Sequence, residues 1–568
     1  MDIGFLMFLW MLFGNYVVHL DASMHVHALN QPYRTGYHFQ PPKNWMNDPN
    51  GPMLYKGIYH LFYQWNPNGA VWGNIVWGHS TSTDLVNWVR HPPAISPSQP
   101  SDINGCWAGS ATILPGGKPV VFYTGMDHMN RQVQNLAVPK NLSDPFLREW
   151  SKSPENPLLA PTADNGIDPD NFRDPTTAWL GHDGHWRVII GSKMDRGRGL
   201  AILYKSKDFI NWVKSPEPLH SDDGTGVWEC PDFFPVARSG STGIDTSSFG
   251  TAPRVKHVLK ISVAELAHDC YTVGTYDRTR DVYVPDKGFV RNRSAPRFDY
   301  GKFYASKTFF DAATRRRILW GWVNESSPEK DDIEKGWSGL QAIPRKIWLG
   351  GSGKQLIQWP IMEIEKLRAK QVKWRNKVLM EKGSILEVHG ITASQADVEV
   401  SFEARDLEKA DPIEPGWTDA QLICSQENES VKTGLGPFGL MVLASKNLEE
   451  YTSVYFRIFK ARNDSDGYVV VMCSDQSRSS LNKNNDRTTY GAFVDINPSY
   501  QPISLRTLID HSIVESYGGR GKACITSRVY PKMAIGESSH LYVFNRGSQS
   551  VRLSTLSAWN MKTAHINI

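Results

Sequence analysis

From about residue 33 to 359 the chain is built of short apolar and aromatic runs. Examples are 58–65 (IYHLFYQW), 119–125 (PVVFYTG), 186–192 (WRVIIGS), 200–206 (LAILYKS), 258–263 (VLKISV) and 318–323 (ILWGWV). Gly, Pro, Asn and Asp separate them, and β-branched and aromatic residues dominate within them, so each reads as a strand. One pattern recurs: Ser82-Thr83-Asp84-Leu85-Val86-Asn87-Trp88 returns as Ser206-Lys207-Asp208-Phe209-Ile210-Asn211-Trp212. A repeated strand edge of this kind points to propeller blades. Roughly 320 residues hold five blades of four strands, each about 60 residues long.

The pattern changes at residues 360–373 (PIMEIEKLRAKQVK), where apolar positions recur every three or four residues. This predicts a helical linker. Short strands resume in residues 374–568, as in 397–404 (DVEVSFEA), 439–445 (GLMVLAS), 469–473 (VVVMC) and 540–544 (HLYVF). Strands so spaced, without helices between them, predict a β-sandwich. The polar stretch 479–490 reads as a surface loop. The expected fold is therefore all-β: a five-bladed propeller over 33–359, a linker over 360–373 and a sandwich over 374–568.

Composition changes this picture little. In 568 residues the net charge is only +4, and the longest basic run is Arg315-Arg316-Arg317, which excludes a nucleic-acid footprint. The 20 Trp, 21 Tyr and 23 Phe suit both large β-cores and stacking platforms for sugar rings. The apolar run 5–18 is too short for a bilayer span, and Leu20-Asp21-Ala22 is a weak cleavage site, so residues 1–22 read as a secretory signal peptide. Sequons at Asn141, Asn292, Asn324, Asn428 and Asn463 agree with secretion. No cysteine pair has CxxC spacing, which argues against zinc.

Three acidic segments carry the candidate chemistry: Asp48 in NWMNDPNG, Asp174 in FRDPTTAW and Glu229 in WECPDFFPV. Taken alone, DPNG is turn chemistry. Taken together, three carboxylates from three blades converge on a propeller channel, and glycosyl transfer needs two carboxyl groups in one pocket.

With these segments in order, and with Tyr304-Ala305-Ser306-Lys307 and 508–518 (LIDHSIVESYG), the sequence resembles glycoside hydrolase family 32. Its plant members are β-fructofuranosidases: invertases, fructan exohydrolases and fructosyltransferases. The resemblance implies a propeller followed by a sandwich. It makes Asp48 the nucleophile, fixed by the DPNG turn, and Glu229 the acid and base, while Asp174 holds the fructose hydroxyls. Asp48 is expected to raise the pKa of Glu229, and Arg173 to keep neighbouring carboxylates ionised. Asn47 and Gln64 bond the sugar, and Trp45, Trp72 and Trp107 form an apolar wall. Cys424 and Cys473 match the family's sandwich disulfide. No metal or organic cofactor is required. The expected partners are sucrose and fructans, with no nucleic acid and no stable membrane insertion, and the protein is expected to be a monomer. Pro231 in WECPD resembles the cell-wall branch, so the apoplast is the expected location, with the vacuole as the alternative.

Four residues depart from the family pattern. Cell-wall invertases carry an Asp and a Lys after the strand KIS to hold the glucose of sucrose; here Ala264 and Ala267 stand in their place. Glu265, read on a strand, points to the other face. Ala108 replaces a Ser, and Trp65 replaces a Tyr and offers a platform for a second sugar. Together these changes favour a fructosyltransferase of the 6-type, with sucrose as donor and sucrose or fructan as acceptor. A fructan exohydrolase is the alternative, followed by an invertase or a silent binding homologue.

Overall fold

The computed structural model describes residues 31–162, 165–246, 255–287, 296–381, 383–426, 434–462 and 467–566. The expected leader and the sequons at Asn292, Asn428 and Asn463 lie outside them. Asn141 is exposed and Asn324 half-buried.

Five antiparallel sheets make up the first part of the chain. Their innermost strands are Asn44–Tyr55, Cys106–Leu114, the two pieces Phe172–Arg173 and Trp179–Leu180, Trp228–Ala237, and Phe303–Asp311. Each blade is covered on both faces by its neighbours. That explains why the strands read as continuous apolar runs: Arg316–Val323 is buried at every position. The repeated Ser-x-Asp motif forms the same turn twice. Ser82 Oγ accepts from the Leu85 amide and Asp84 Oδ1 from Val86 and Asn87. Ser206 and Asp208 repeat these bonds with Phe209, Ile210 and Asn211. The ring closes where Trp337–Ser338 pairs parallel with Asn44–Trp45, while Leu340–Gln341 pairs with blade five.

Two six-stranded sheets follow and enclose one apolar core. The predicted helical linker is corrected. Only Met362–Leu367 is helical, as a 3-10 segment, and Arg368–Leu379 is an edge strand paired with Val551–Met561. Ile364 and Leu367 are buried by the short turn, and beyond them pairing with an open sheet edge overrides the helical spacing. The sandwich also contains a short helix, Ala420–Gln426, which the spacing of the strands did not predict. It carries Cys424, which is bridged to Cys473.

The two parts are stitched by buried charge. The amides of Gly36, Tyr37 and His38 donate to Asp510, and the His38 ring lies between Asp510 and Glu515 at 2.8 and 3.0 Å. Arg345 of blade five reaches Glu515 and Asp299. The stretch 479–490 is not a free surface loop. Its Asp486 amide donates to the Ser326 carbonyl and Asn482 to Asp331, both on the propeller.

Candidate active site

All five inner strands break register at the same end. They advance three residues while their partners advance two, between Met46 and Pro49, Cys106 and Gly109, Glu229 and Asp232, and Tyr304 and Lys307. In blade three, Arg173 pairs with Gly191 and the Thr176 amide bonds the Ile189 carbonyl, the same step. Such bulges bend a strand and re-aim its side chains. The unpaired residues are Asn47 and Asp48, Trp107 and Ala108, Asp174 and Pro175, Cys230 and Pro231, and Ala305 and Ser306. Asp174, Cys230 and Ala305 hold positive φ of 65°, 44° and 53°, a strain that clusters at functional sites. NWMNDPNG is therefore no turn. It lies within one strand that breaks register twice, and the breaks aim Asp48 into the channel.

Asp48 accepts from Asn47 Nδ2 at 3.0 Å and from Gln64 Nε2 at 3.2 Å. Asn47 is fixed in turn by Trp45 Nε1 and Gln64 Oε1. Burial, then the charges of Asp174 and Glu229, push the Asp48 carboxyl up to about 7. Arg173 does not hold all its neighbours alike. It bonds Glu229 Oε1 through Nη2 at 2.8 Å and Nε at 3.1 Å. Tyr304 donates to Glu229 Oε2 at 2.5 Å. Asp174 Oδ2 accepts from the Cys230 amide at 2.8 Å. The Cys230 thiol lies 3.5 Å from Asp48 and 3.4 Å from Asp174, and burial keeps it protonated. Three carboxyl groups thus lie close enough together for the charges of Asp174 and Glu229 to act on Asp48.

Trp107 and the exposed Trp72 meet edge to face at 5.7 Å, and Trp45 leans on Trp322. Trp65 is not a platform. It is 6% exposed, donates to the Lys43 carbonyl and is capped by Arg90. Its neighbours are the core residues between blade one and the sandwich. Ala108 is buried against Cys230 and Ala305.

Ala264–Leu266 is a 3-10 turn rather than strand, and the backbone reverses at Ala267, φ 50°. The Glu265 carboxylate accepts from the Val227 amide through both oxygens at 3.0 Å. It is thereby tied down and does not replace the absent charges. Beside this turn a cavity of about 690 Å³ opens between blades three and four, lined by Trp228, His220, Ile261, Leu266 and His268.

Tyr304 and Cys230 belong to the site although sequence reasoning gave them no role. Cys230 sits in the break of blade four and Tyr304 is the last paired residue before the break of blade five, and a break leaves no mark in the apolar pattern.

The family model described as glycosyl hydrolases family 32 N-terminal domain matches residues 38–360, and that for the family 32 C terminal matches 363–560. A beta-fructofuranosidase of Arabidopsis thaliana, an insoluble isoenzyme, is 71% identical over all of this chain and 99% of its own length. Fructan 6-exohydrolase of Beta vulgaris is 58% identical over 95% of this chain and 88% of its own. The crystal structure of fructan 1-exohydrolase IIa from Cichorium intybus superposes with a TM-score of 0.91 at 55% identity, covering 94% of this chain and 99% of that one. With both family models matched in order and relatives this similar along the whole chain, the protein belongs to glycoside hydrolase family 32.

Proposed function

We propose that this protein is a retaining fructan exohydrolase. A carboxylate oxygen of Asp48 attacks the anomeric carbon of a terminal β-fructosyl unit. The bond to the leaving oxygen breaks, and Glu229 gives that oxygen its proton. Water then attacks the same carbon, Glu229 takes the water's proton, and the Asp48 ester is released. The reaction starts from the form in which the one proton shared by Asp48 and Glu229 sits on Glu229. Asp174 receives the fructose hydroxyls, Asn47 and Gln64 position Asp48, and Trp45, Trp72 and Trp107 wall the sugar.

The observation that carries the choice of substrate is the turn at Ala264 and Ala267. It offers two methyl groups where sucrose needs charged partners for its glucose, and Glu265 is already bonded to Val227. Two relatives named fructan exohydrolases agree with this reading. Transfer to a sugar keeps one favourable feature, the missing hydroxyl at Ala108, now that Trp65 lies in the core. Relatives named insoluble or cell-wall isoenzymes support secretion to the wall.

The test is to incubate the purified protein separately with levan, inulin and concentrated sucrose, following glucose, fructose and trisaccharides. Fructose release from a fructan with little reaction on sucrose is expected. Glucose in excess of fructose, together with new trisaccharide, would replace this reading by transfer. Ala264→Asp with Ala267→Lys is expected to raise sucrose hydrolysis about 10–100-fold, the worth of one or two charged hydrogen bonds.

A further inference from the structure

Two lysines are buried beneath the carboxylates, and they are not equivalent. Lys260 is fully enclosed, and its ammonium is matched. It bonds the Cys230 and Ser306 carbonyls and Ser262, and it pairs with Asp269 at 3.2 Å. Lys307, at the end of the break in blade five, is 2% exposed. Among the described residues its Nζ meets only the carbonyls of Pro175 and Pro231, at 3.5 and 3.4 Å. These are the residues that follow Asp174 and Cys230 in their breaks. Among the described residues no carboxylate lies within ion-pair distance of Lys307.

We infer that Lys307 is a positioning residue, the buried counter-charge that holds the catalytic carboxylates in their one-proton state. A buried ammonium needs negative charge nearby, and the other charged groups around it are already matched. Asp269 serves Lys260. Asp232 and Arg317 make no direct ion pair among the described residues, but both bond the Thr308 hydroxyl and the charge of Asp232 acts on Arg317, so the two offset each other in the count. Tyr304 is neutral and bonded to Glu229. What remains is Asp48, Asp174 and Glu229 against Arg173 and Lys307. Three carboxylates facing two cations leave one negative charge, and a single proton neutralises it. One proton shared by Asp48 and Glu229 is the state from which a retaining reaction starts. The charges of both lysines are felt at Cys230, which sits between Asp48 and Asp174. Without Lys307 the pocket holds a second proton where the wild type holds one, and Asp48 loses its nucleophilic form.

This inference rests on the assignment of Asp48 and Glu229 proposed above. The test is the pH profile of kcat/KM for wild type and Lys307→Met on the fructan that the wild type cleaves, with Asp48→Ala alongside. Both limbs in Lys307→Met are expected to move upward by about one pH unit or more, as loss of a neighbouring cation requires. Unmoved limbs in folded Lys307→Met, beside an inactive Asp48→Ala, would overturn the counter-charge alone. Turnover retained by Asp48→Ala would remove the underlying assignment instead. Should Lys307→Met fail to fold, the double variant Lys307→Met/Asp48→Asn is the second measurement. Removing one carboxylate with the cation restores the balance, so the double variant is expected to fold. A double variant as unfolded as the single would overturn the inference.

Discussion

Arg173 closes on Glu229 through one oxygen only. Both guanidinium bonds, at 2.8 and 3.1 Å, reach Oε1, which leaves Oε2 to the Tyr304 hydroxyl at 2.5 Å. Both oxygens of the proposed acid are therefore oriented by a donor, and the carboxyl cannot turn without breaking one of them. Tyr304→Phe removes the bond at Oε2 and leaves the ring in place. A charge-assisted hydrogen bond is worth about 1.5–3 kcal/mol, so kcat/KM is expected to fall about 10–100-fold with an unchanged melting temperature. Steady-state kinetics and a thermal melt on the same preparation check it.

Asp48, the proposed nucleophile, is held at a cost in stability. Its folded carboxyl is raised to about 7 by burial and by its two acidic neighbours. A raised acid binds its proton more tightly folded than unfolded, so its contribution to stability falls as pH rises from about 4 to 7. Asp48→Asn keeps the shape and loses the charge. It is expected to abolish turnover and to melt a few degrees above wild type at pH 8, with the gap closing near pH 4. The upper bound is about 4 kcal/mol for a shift of this size. Equal melting temperatures at both pH values would show that Asp48 is not held at this cost.

His38 works in the opposite sense. Its bonds to Asp510 and Glu515 raise its pKa above the ordinary value against full burial, and they hold Glu515 down at about 2. A raised histidine contributes stability that is fully present below pH 6.5 and lost as pH rises through its folded pKa. The lowered carboxylates contribute above about pH 4 and lose that contribution as pH falls. The lock between propeller and sandwich is therefore strongest in mildly acidic solution. His38→Gln is expected to cost about 1–3 kcal/mol at pH 5 and less at pH 8, read by denaturant unfolding at the two pH values.

The bridge from Cys424 to Cys473 ties the helix Ala420–Gln426 to the strand Tyr468–Asp475 across 49 residues of sequence. Closing a loop of that length stabilises by about 2–4 kcal/mol. Replacing both cysteines by alanine is expected to lower the melting temperature of the sandwich and to leave kcat at 25 °C unchanged, because the bridge lies on the sandwich side of the molecule.

The strands, the five-blade repeat and the three carboxylates were legible in the sequence, because blade burial writes continuous apolar runs and a motif keeps its residue types. Asp48, Asp174 and Glu229 could be named without coordinates for that reason, and so could the departures at Ala264 and Ala267. Long-range partners have no such local signature. The helical spacing after Pro360 was real for one turn, but an unpaired sheet edge claimed the next residues as strand. Trp65 reads as a sugar platform in one dimension and is a core residue in three, because its strand turns that side chain toward the sandwich. The register breaks that aim Asp48, Asp174 and Cys230 at one another depend on two strands miscounting by one residue. So do the grip of Arg173 on Glu229 and the unmatched charge of Lys307, which depend on how blades meet. The sequence alone determined which chemical groups are present and in what order; only the closed ring decided which of them touch, because hydrogen bonds and buried charges are contacts between blades remote along the chain.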